Sequence, residues 1–280
     1  MLRGQLGNQR LLMIGTTALI ALGAAAVFAG ATGSMLVDEM RHGVIDSIFD
    51  DRRALAERHP YLLPAGVIAA VLGGLAGLPL YTWAITRYRG GERPWLLPAP
   101  VAVLGFTAGF IAVVPAWTGP LKVGTRVDPT FHHDRDWGWA SWVAYAAPVW
   151  VPVLLLAGSA LTVRWAVQSA RARAASVRER DRLLLHGARV AGEVTEVRVH
   201  LSSDDTGSSR PAGATVTVRY PDSEGQNRWV TRYTRSTDLR VGAGAVEVLF
   251  DPLRPDEESS IFVAFQREPL AADWIGAKSR

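Results

Sequence analysis

The run His132-His133-Asp134-Arg135-Asp136 is the one cluster in the sequence rich in side chains that ligate metals. Zinc or copper would take imidazole nitrogens and a carboxylate oxygen, so His132, His133 and Asp136 are the candidate ligands. Adjacent histidines diverge on a helix or a strand, and the i, i+4 spacing of helical metal sites is missing; no metal and no other cofactor is expected. A second run, Arg228-Trp229-Val230-Thr231-Arg232-Tyr233, mixes cations and aromatics as oligonucleotide-binding strands do. Strand alternation puts Trp229 and Tyr233 on one face, most simply the core, and nucleic acid is not an expected partner. Asp204-Asp205 and Asp256-Glu257-Glu258 read as solvated turn carboxylates rather than acid–base pairs. The chain has no cysteine, which removes thiolate nucleophiles, disulfides and cysteine metal sites. It also lacks a nucleophile elbow, a zinc-protease helix and a glycine-rich phosphate loop, and is read as non-enzymatic.

The elements that would carry these residues are mostly apolar. Hydrophobic residues make up 49% of the 280 positions and gather into blocks long enough to cross a bilayer, which takes about 20 apolar residues. Spans are expected at about 11–33, 61–84, 95–117 and 139–165, forming a four-helix membrane domain over residues 1–163. A cleaved signal peptide competes for the first block, since Ala29 to Gly33 are small, but the apolar run is longer than such peptides use. Residues 34–60 carry Val37, Met40, Val44 and Ile48 at helical spacing and read as an amphipathic connecting helix. The loop from Arg87 to Arg93 holds three arginines and one glutamate, so it is placed inside the cell. Both termini then fall in the cytoplasm. Trp83, Trp95 and Trp165 mark the inner boundary, and Trp117, Trp137, Trp139 and Trp142 the outer one.

Gly73-xxx-Gly77 and Gly105-xxx-Gly109 offer small faces for close helix approach, within the bundle or between copies in a homo-oligomer. No Asp, Glu, Lys, Arg or His sits in mid-span, which argues against a transporter or pump. Only Lys122 and Lys278 are lysines among the 30 basic residues, a bias that points to a bacterial genome of high GC content.

Residues 164–187 form a basic connector with six arginines and two acidic residues, ending at Gly187 as a helix C-terminal cap. Arg164, Arg171, Arg173 and Arg178 would face lipid headgroups at its near end. Beyond Gly187 the hydrophobic period becomes alternating, and five short strands are expected over residues 188–265, with a bulge near Thr195-Glu196, before a tail at 266–280. Such strands around one small core suggest a partly open barrel of the OB or SH3-like kind. The fold class is thus a membrane α-helical bundle of four transmembrane helices with a small all-β cytoplasmic domain. Asp251-Pro252 reads as a strand-ending turn, and Gly192 as a bulge or a close strand approach.

Gly187-Ala188-Arg189-Val190-Ala191-Gly192, then Val216 to Tyr220, then Val246 to Phe250 with Asp251-Pro252 and Pro255, resemble the bacterial family called domain of unknown function 3592. Phe250 stands where that family usually has Tyr, and Arg254 where it usually has Asn. The resemblance covers roughly residues 185–265 and implies a β domain attached to membrane helices, with no known activity and no catalytic residues. The expected function is a multi-pass protein of the bacterial cell membrane whose β domain binds a protein partner of unknown identity or scaffolds an assembly. The alternative is a membrane enzyme or transporter with a site at the outer loops and helix ends.

Overall fold

The computed structural model describes residues 8–46, 59–88, 97–128, 130, 132–203, 209–234, 239–242 and 245–277. The chain divides into two compact units, Met1–Gln168 and Ser169–Arg280. Among the described residues, four helices are long and apolar enough to cross a membrane: Gln9–Ile45, Leu62–Tyr88, Pro98–Ala116 and Ala147–His186.

The first unit is built around α1, Gln9–Ile45, whose start is capped by Asn8 accepting a hydrogen bond from the Arg10 amide at 3.0 Å. The sequence suggests a span ending near residue 33 and a separate amphipathic helix; the structure has one unbroken helix through Ile45. Ser34, Asp38, Arg41 and Ile45 are buried, whereas Met40 and Val44 of the apolar stripe are exposed, and Ile48 lies outside the described residues. Burial of the three polar side chains is tolerated because each finds a partner in Trp117 or Thr118.

Helix α2, Leu62–Leu72, passes through a π-helical turn at Gly73–Gly77 into α3, Leu78–Tyr88. Helix α4, Pro98–Val113, begins with proline in its first turn, where the missing amide costs nothing, and ends in the 3-10 turn Val114–Ala116. Trp95, expected at this span's inner end, lies outside the described residues. Both Gly-xxx-Gly motifs pack inside the chain. A Cβ at Gly105 would stand 2.7 Å from the Gly23 carbonyl oxygen, one at Gly109 would overlap the Val27 carbonyl, and one at Gly30 would overlap that of Phe106. Gly73 and Gly77 meet α1 at Ala25 and Leu22. Gly109→Ala must push α4 off α1, and we expect it to cost about 1–3 kcal/mol. Thermal unfolding of the detergent-solubilised protein should show this as a lower midpoint.

A short hairpin, β1 Thr125–Arg126 with β2 Arg135–Asp136, precedes α5, Trp139–Tyr145. A turn at Ala146 separates α5 from α6, Ala147–His186, so the apolar block expected to start at Trp139 comprises two helices. Within the first unit, α6 is tied to α4 by a buried hydrogen bond between the Thr107 and Ser159 hydroxyls at 2.8 Å.

The second unit holds the end of α6 and a curled antiparallel five-stranded sheet, a half-barrel, in the order β5-β4-β3-β6-β7. The strands are β3 Ala188–Ser203, β4 Ser209–Pro221, β5 Asn227–Thr234, β6 Val246–Phe250 and β7 Phe262–Ala264. Strand β3 serves both halves: Ala188 to Gly192 pair with β6, and Glu193 onward with β4. Its register shifts between Val194 and Glu196, where the change of phase in the sequence calls for a bulge. Val194, Val216, Val218, Tyr220, Val248, Phe250 and Val263 form the inner core. Gly192 sits between neighbouring strands, where a Cβ would be 2.7 Å from Val218 Cγ1 and 2.9 Å from Val248 Cγ2. Leu249, Phe262 and Ala264 point the other way and are buried against Leu183 of α6 and Trp274. Strands β6 and β7 are therefore covered on both faces, and apart from Glu247 they are apolar throughout.

Candidate functional site

Three polar arrangements stand out, one in the first unit and two in the second. The first caps the C-terminal end of α1. Asp38 is fully buried and accepts hydrogen bonds from the Thr118 amide at 3.2 Å and from the Thr118 hydroxyl at 3.3 Å. Arg41, three residues on, donates to the Thr118 carbonyl at 3.0 Å and lies 5.3 Å from the centre of the Trp117 ring. Trp117 in turn donates to the Ser34 hydroxyl at 2.9 Å.

The last carbonyls of a helix have no partner inside it. Here Val44, Ile45 and Asp46 receive donors from Ser141 at 3.1 Å, Trp137 Nε1 at 2.9 Å and Arg126 Nε at 3.0 Å. The arginine also complements the negative end of the helix dipole. Segment 118–146 thus closes the helix end with side chains.

His132, His133 and Asp136, the metal candidates, lie on this segment and are exposed. Among the described residues no three His, Cys, Asp or Glu side chains come together at metal-binding distances. An apolar cavity of about 460 Å³ lies between the helices of the first unit, lined by residues such as Leu22, Ala29, Gly74, Phe106 and Leu155 and by no ionisable side chain.

The second arrangement centres on Asp251, at the end of β6. Its carboxylate accepts from the Leu253 amide at 3.0 Å, the strand-ending turn that Asp251-Pro252 suggests in the sequence. It also accepts from Arg182 of α6 at 2.7 Å and from Arg254 at 3.3 Å. No local pattern points to the Arg182 contact, because the partners are 69 positions apart. Arg182 first, then the Leu253 amide, hold the Asp251 carboxyl below its ordinary pKa. A carboxylate with a lowered folded-state pKa adds stability above about pH 4, its unfolded value, and loses it as pH falls through the folded value. Helix docking should therefore loosen in acid below about pH 4. Asp251→Asn should loosen it at neutral pH, with amide exchange over 183–186 and 246–250 faster by roughly an order of magnitude.

Gly187 completes the junction. Its amide bonds to the Leu183 carbonyl at 2.7 Å, and a Cβ there would stand 3.0 Å from the Phe250 carbonyl. The helix can end this close to β6 because the position is glycine. Of the connector arginines, Arg164, Arg171 and Arg178 are exposed and Arg173 is half-buried.

The third arrangement corrects the reading of β5. Trp229 is 61% exposed and Tyr233 lies on the same outward side, whereas Val230, Arg232 and Thr234 are buried. The register makes the outward face a set of cross-strand rows: Trp229 beside Arg219 beside Glu193, Thr231 beside Thr217 beside Glu196, and Tyr233 beside Thr215 beside Arg198. Arg219 is ion-paired to Glu193 and Arg198 to Glu196. Tyr233 donates to the Ala212 carbonyl at 3.0 Å and covers Gly213, where any Cβ would strike the tyrosine ring.

Arg232, on the opposite face from Trp229 and Tyr233, points inward. It donates to the Glu258 carbonyl at 2.8 Å, the Ile261 carbonyl at 2.7 Å and the Glu258 carboxylate at 3.1 Å. Among the described residues no ladder joins β5 to β7. The Arg232 guanidinium bridges the gap between the two edges of the half-barrel. Burial lowers its pKa from the ordinary arginine value.

Comparison with protein-family models, with characterised proteins and with solved structures gave no match to this chain.

Proposed function

We propose that the chain is a non-enzymatic, multi-pass protein of the bacterial cell membrane, with both termini cytoplasmic, whose β domain binds a protein partner. In this reading the half-barrel is the partly open OB or SH3-like barrel of the domain-of-unknown-function-3592 kind, and the four apolar helices are its transmembrane anchor. The observation that carries it is Trp229, 61% exposed at the head of an ordered outward face. Exposed tryptophan on a rigid strand offers large contact area at little entropic cost, and this residue type dominates protein–protein hot spots. The neighbouring charges are paired with one another, so the face carries little net field. Residues 188–280 hold 12 basic and 14 acidic side chains, which disfavours a phosphate backbone as the ligand.

Two experiments bear on this. Reporter fusions after Lys122 and after Arg280 should report opposite sides of the membrane, outer for the first; the same side for both would refute the topology. Full-length protein taken from membranes in mild detergent should bring a protein partner with it, and a preparation with nothing above background would count against the binding role.

A further inference from the structure

We infer that the arginine-rich part of α6 is a docking face for an acidic-flanked helix of another protein, a second interface that does not rest on the β-domain reading above. Val163, Val167, Ala170, Ala174 and Val177 recur at alternating spacings of four and three residues, the apolar seam of a coiled coil. The seam ends there: Asp181 occupies the next position, and Leu184 beyond it packs against the β domain's outer apolar cluster.

The structure gives this seam a direction. On a helix advancing 3.6 residues per turn, Ala172, Ser176, Glu179 and Leu183 share one side. That side belongs to the β domain: Leu183 is buried in its outer apolar cluster, and Ala172, Ser176 and Glu179 line a cleft of about 390 Å³ with Arg254 and Glu257. The seam residues of the same unit lie diametrically opposite, and Ala174 and Val177 among them are exposed. An apolar stripe of several turns facing away from its own domain is a surface to be covered.

Charge selects what covers it. Arg164, Arg171 and Arg178 line one edge of the seam and are exposed; Arg173 and Arg180 line the other, Arg180 being paired with Asp181 at 3.0 Å. These are the flanking positions whose charges choose the partner in a coiled coil. A second copy in the same membrane would run parallel, placing Arg173 of one copy opposite Arg178 of the other and the two Asp181 side chains face to face. Like charges at those positions oppose self-pairing. A helix with glutamate or aspartate beside an apolar seam matches both the stripe and the two arginine edges.

The test uses full-length protein in zwitterionic nanodiscs and two labelled synthetic peptides of four heptads, with Val and Ala in the seam and either Glu or Lys at the flanks. The Glu peptide should bind saturably, at least roughly tenfold tighter than the Lys peptide, and more weakly as salt rises. Ala174→Glu with Val177→Glu should abolish this while far-UV circular dichroism stays unchanged. Should that variant lose helix content, Arg171→Glu with Arg178→Glu should shift preference toward the Lys peptide. Equal binding of both peptides, or binding untouched by the substitutions, overturns the inference. So does dimerisation of the wild type that the seam substitutions remove. A probe at Ala174→Cys that becomes shielded by phosphatidylserine nanodiscs alone would assign the face to lipid and overturn it as well.

Discussion

Arg232→Ala should destabilise the β domain by about 3–5 kcal/mol, more than any truncation of an apolar side chain on the outward face. The Arg232 side chain is buried and donates to the carbonyls of Glu258 and Ile261, so alanine leaves the Ile261 carbonyl without this donor, leaves that of Glu258 only the Ile261 amide at 3.4 Å, and opens a void where the side chain lay. The loss also releases β5 from the segment entering β7, because Arg232 spans the two edges of the half-barrel. Hydrogen exchange on the full-length protein should register this as acceleration of roughly a hundredfold or more over 227–234 and 261–264. Arg228 supplies a second bridge, to Asp222 at 2.9 Å and to Asp256, but it is partly exposed and its truncation should cost much less. Loss of stability confined to about 0.5 kcal/mol in Arg232→Ala would mean that the sheet edges are held by something else.

Asp38→Ala is expected to be of the same size in the first unit, about 3–5 kcal/mol. The substitution removes the acceptor for the Thr118 amide and hydroxyl, and leaves Arg41 buried without the carboxylate 3.9 Å away. The consequence should spread to Trp117 and to the cap over the end of α1, since Ser34, Trp117, Arg41 and Thr118 are joined in one chain of contacts. The measurement is tryptophan fluorescence during thermal unfolding of the purified protein in detergent, with Met40→Ala as a comparison. Met40 sits on the exposed side of the same helix and should be nearly neutral. If both substitutions behaved alike, the Asp38 cluster would carry no special weight.

The contrast between Asp38 and Met40 shows where the sequence was legible and where it was not. Composition located the four apolar helices, because an uncharged apolar run as long as a bilayer is thick is the pattern that a spanning helix requires. The change from helical to alternating period located the β domain, its bulge at Val194/Glu196 and the β6 strand at Val246–Phe250. Beyond residue 33 helical spacing marked Val37, Met40 and Val44, whereas the buried face of α1 there carries Asp38 and Arg41. The reversal depends on Thr118, 80 positions away, which no local pattern announces.

The same failure recurs in β5. Alternation correctly grouped Trp229 with Tyr233, but period alone cannot say which of two faces is inside. Size and aromaticity suggested the core. Arg232 overrode that preference through acceptors at 258–261, reached across 26 to 29 positions. Among the candidate site residues, Asp251 and Gly187 were legible as fold punctuation, while the role of Asp251 in holding Arg182 depends on the helix folding back over β6. His132 and His133 were chosen for side-chain chemistry alone, and both are exposed.

The binding role is decided by comparing full-length wild type with Trp229→Ala, each purified from membranes in mild detergent, with copurifying proteins quantified by mass spectrometry. Trp229 is 61% exposed, so its truncation should leave folding intact, and an unchanged unfolding midpoint would verify this. At least one protein should be enriched with the wild type and depleted roughly tenfold or more with Trp229→Ala. The seam substitutions on α6 should leave that protein in place, which separates the two interfaces. Identical sets of copurifying proteins from wild type and Trp229→Ala would contradict the assignment of the outward β face as the binding surface.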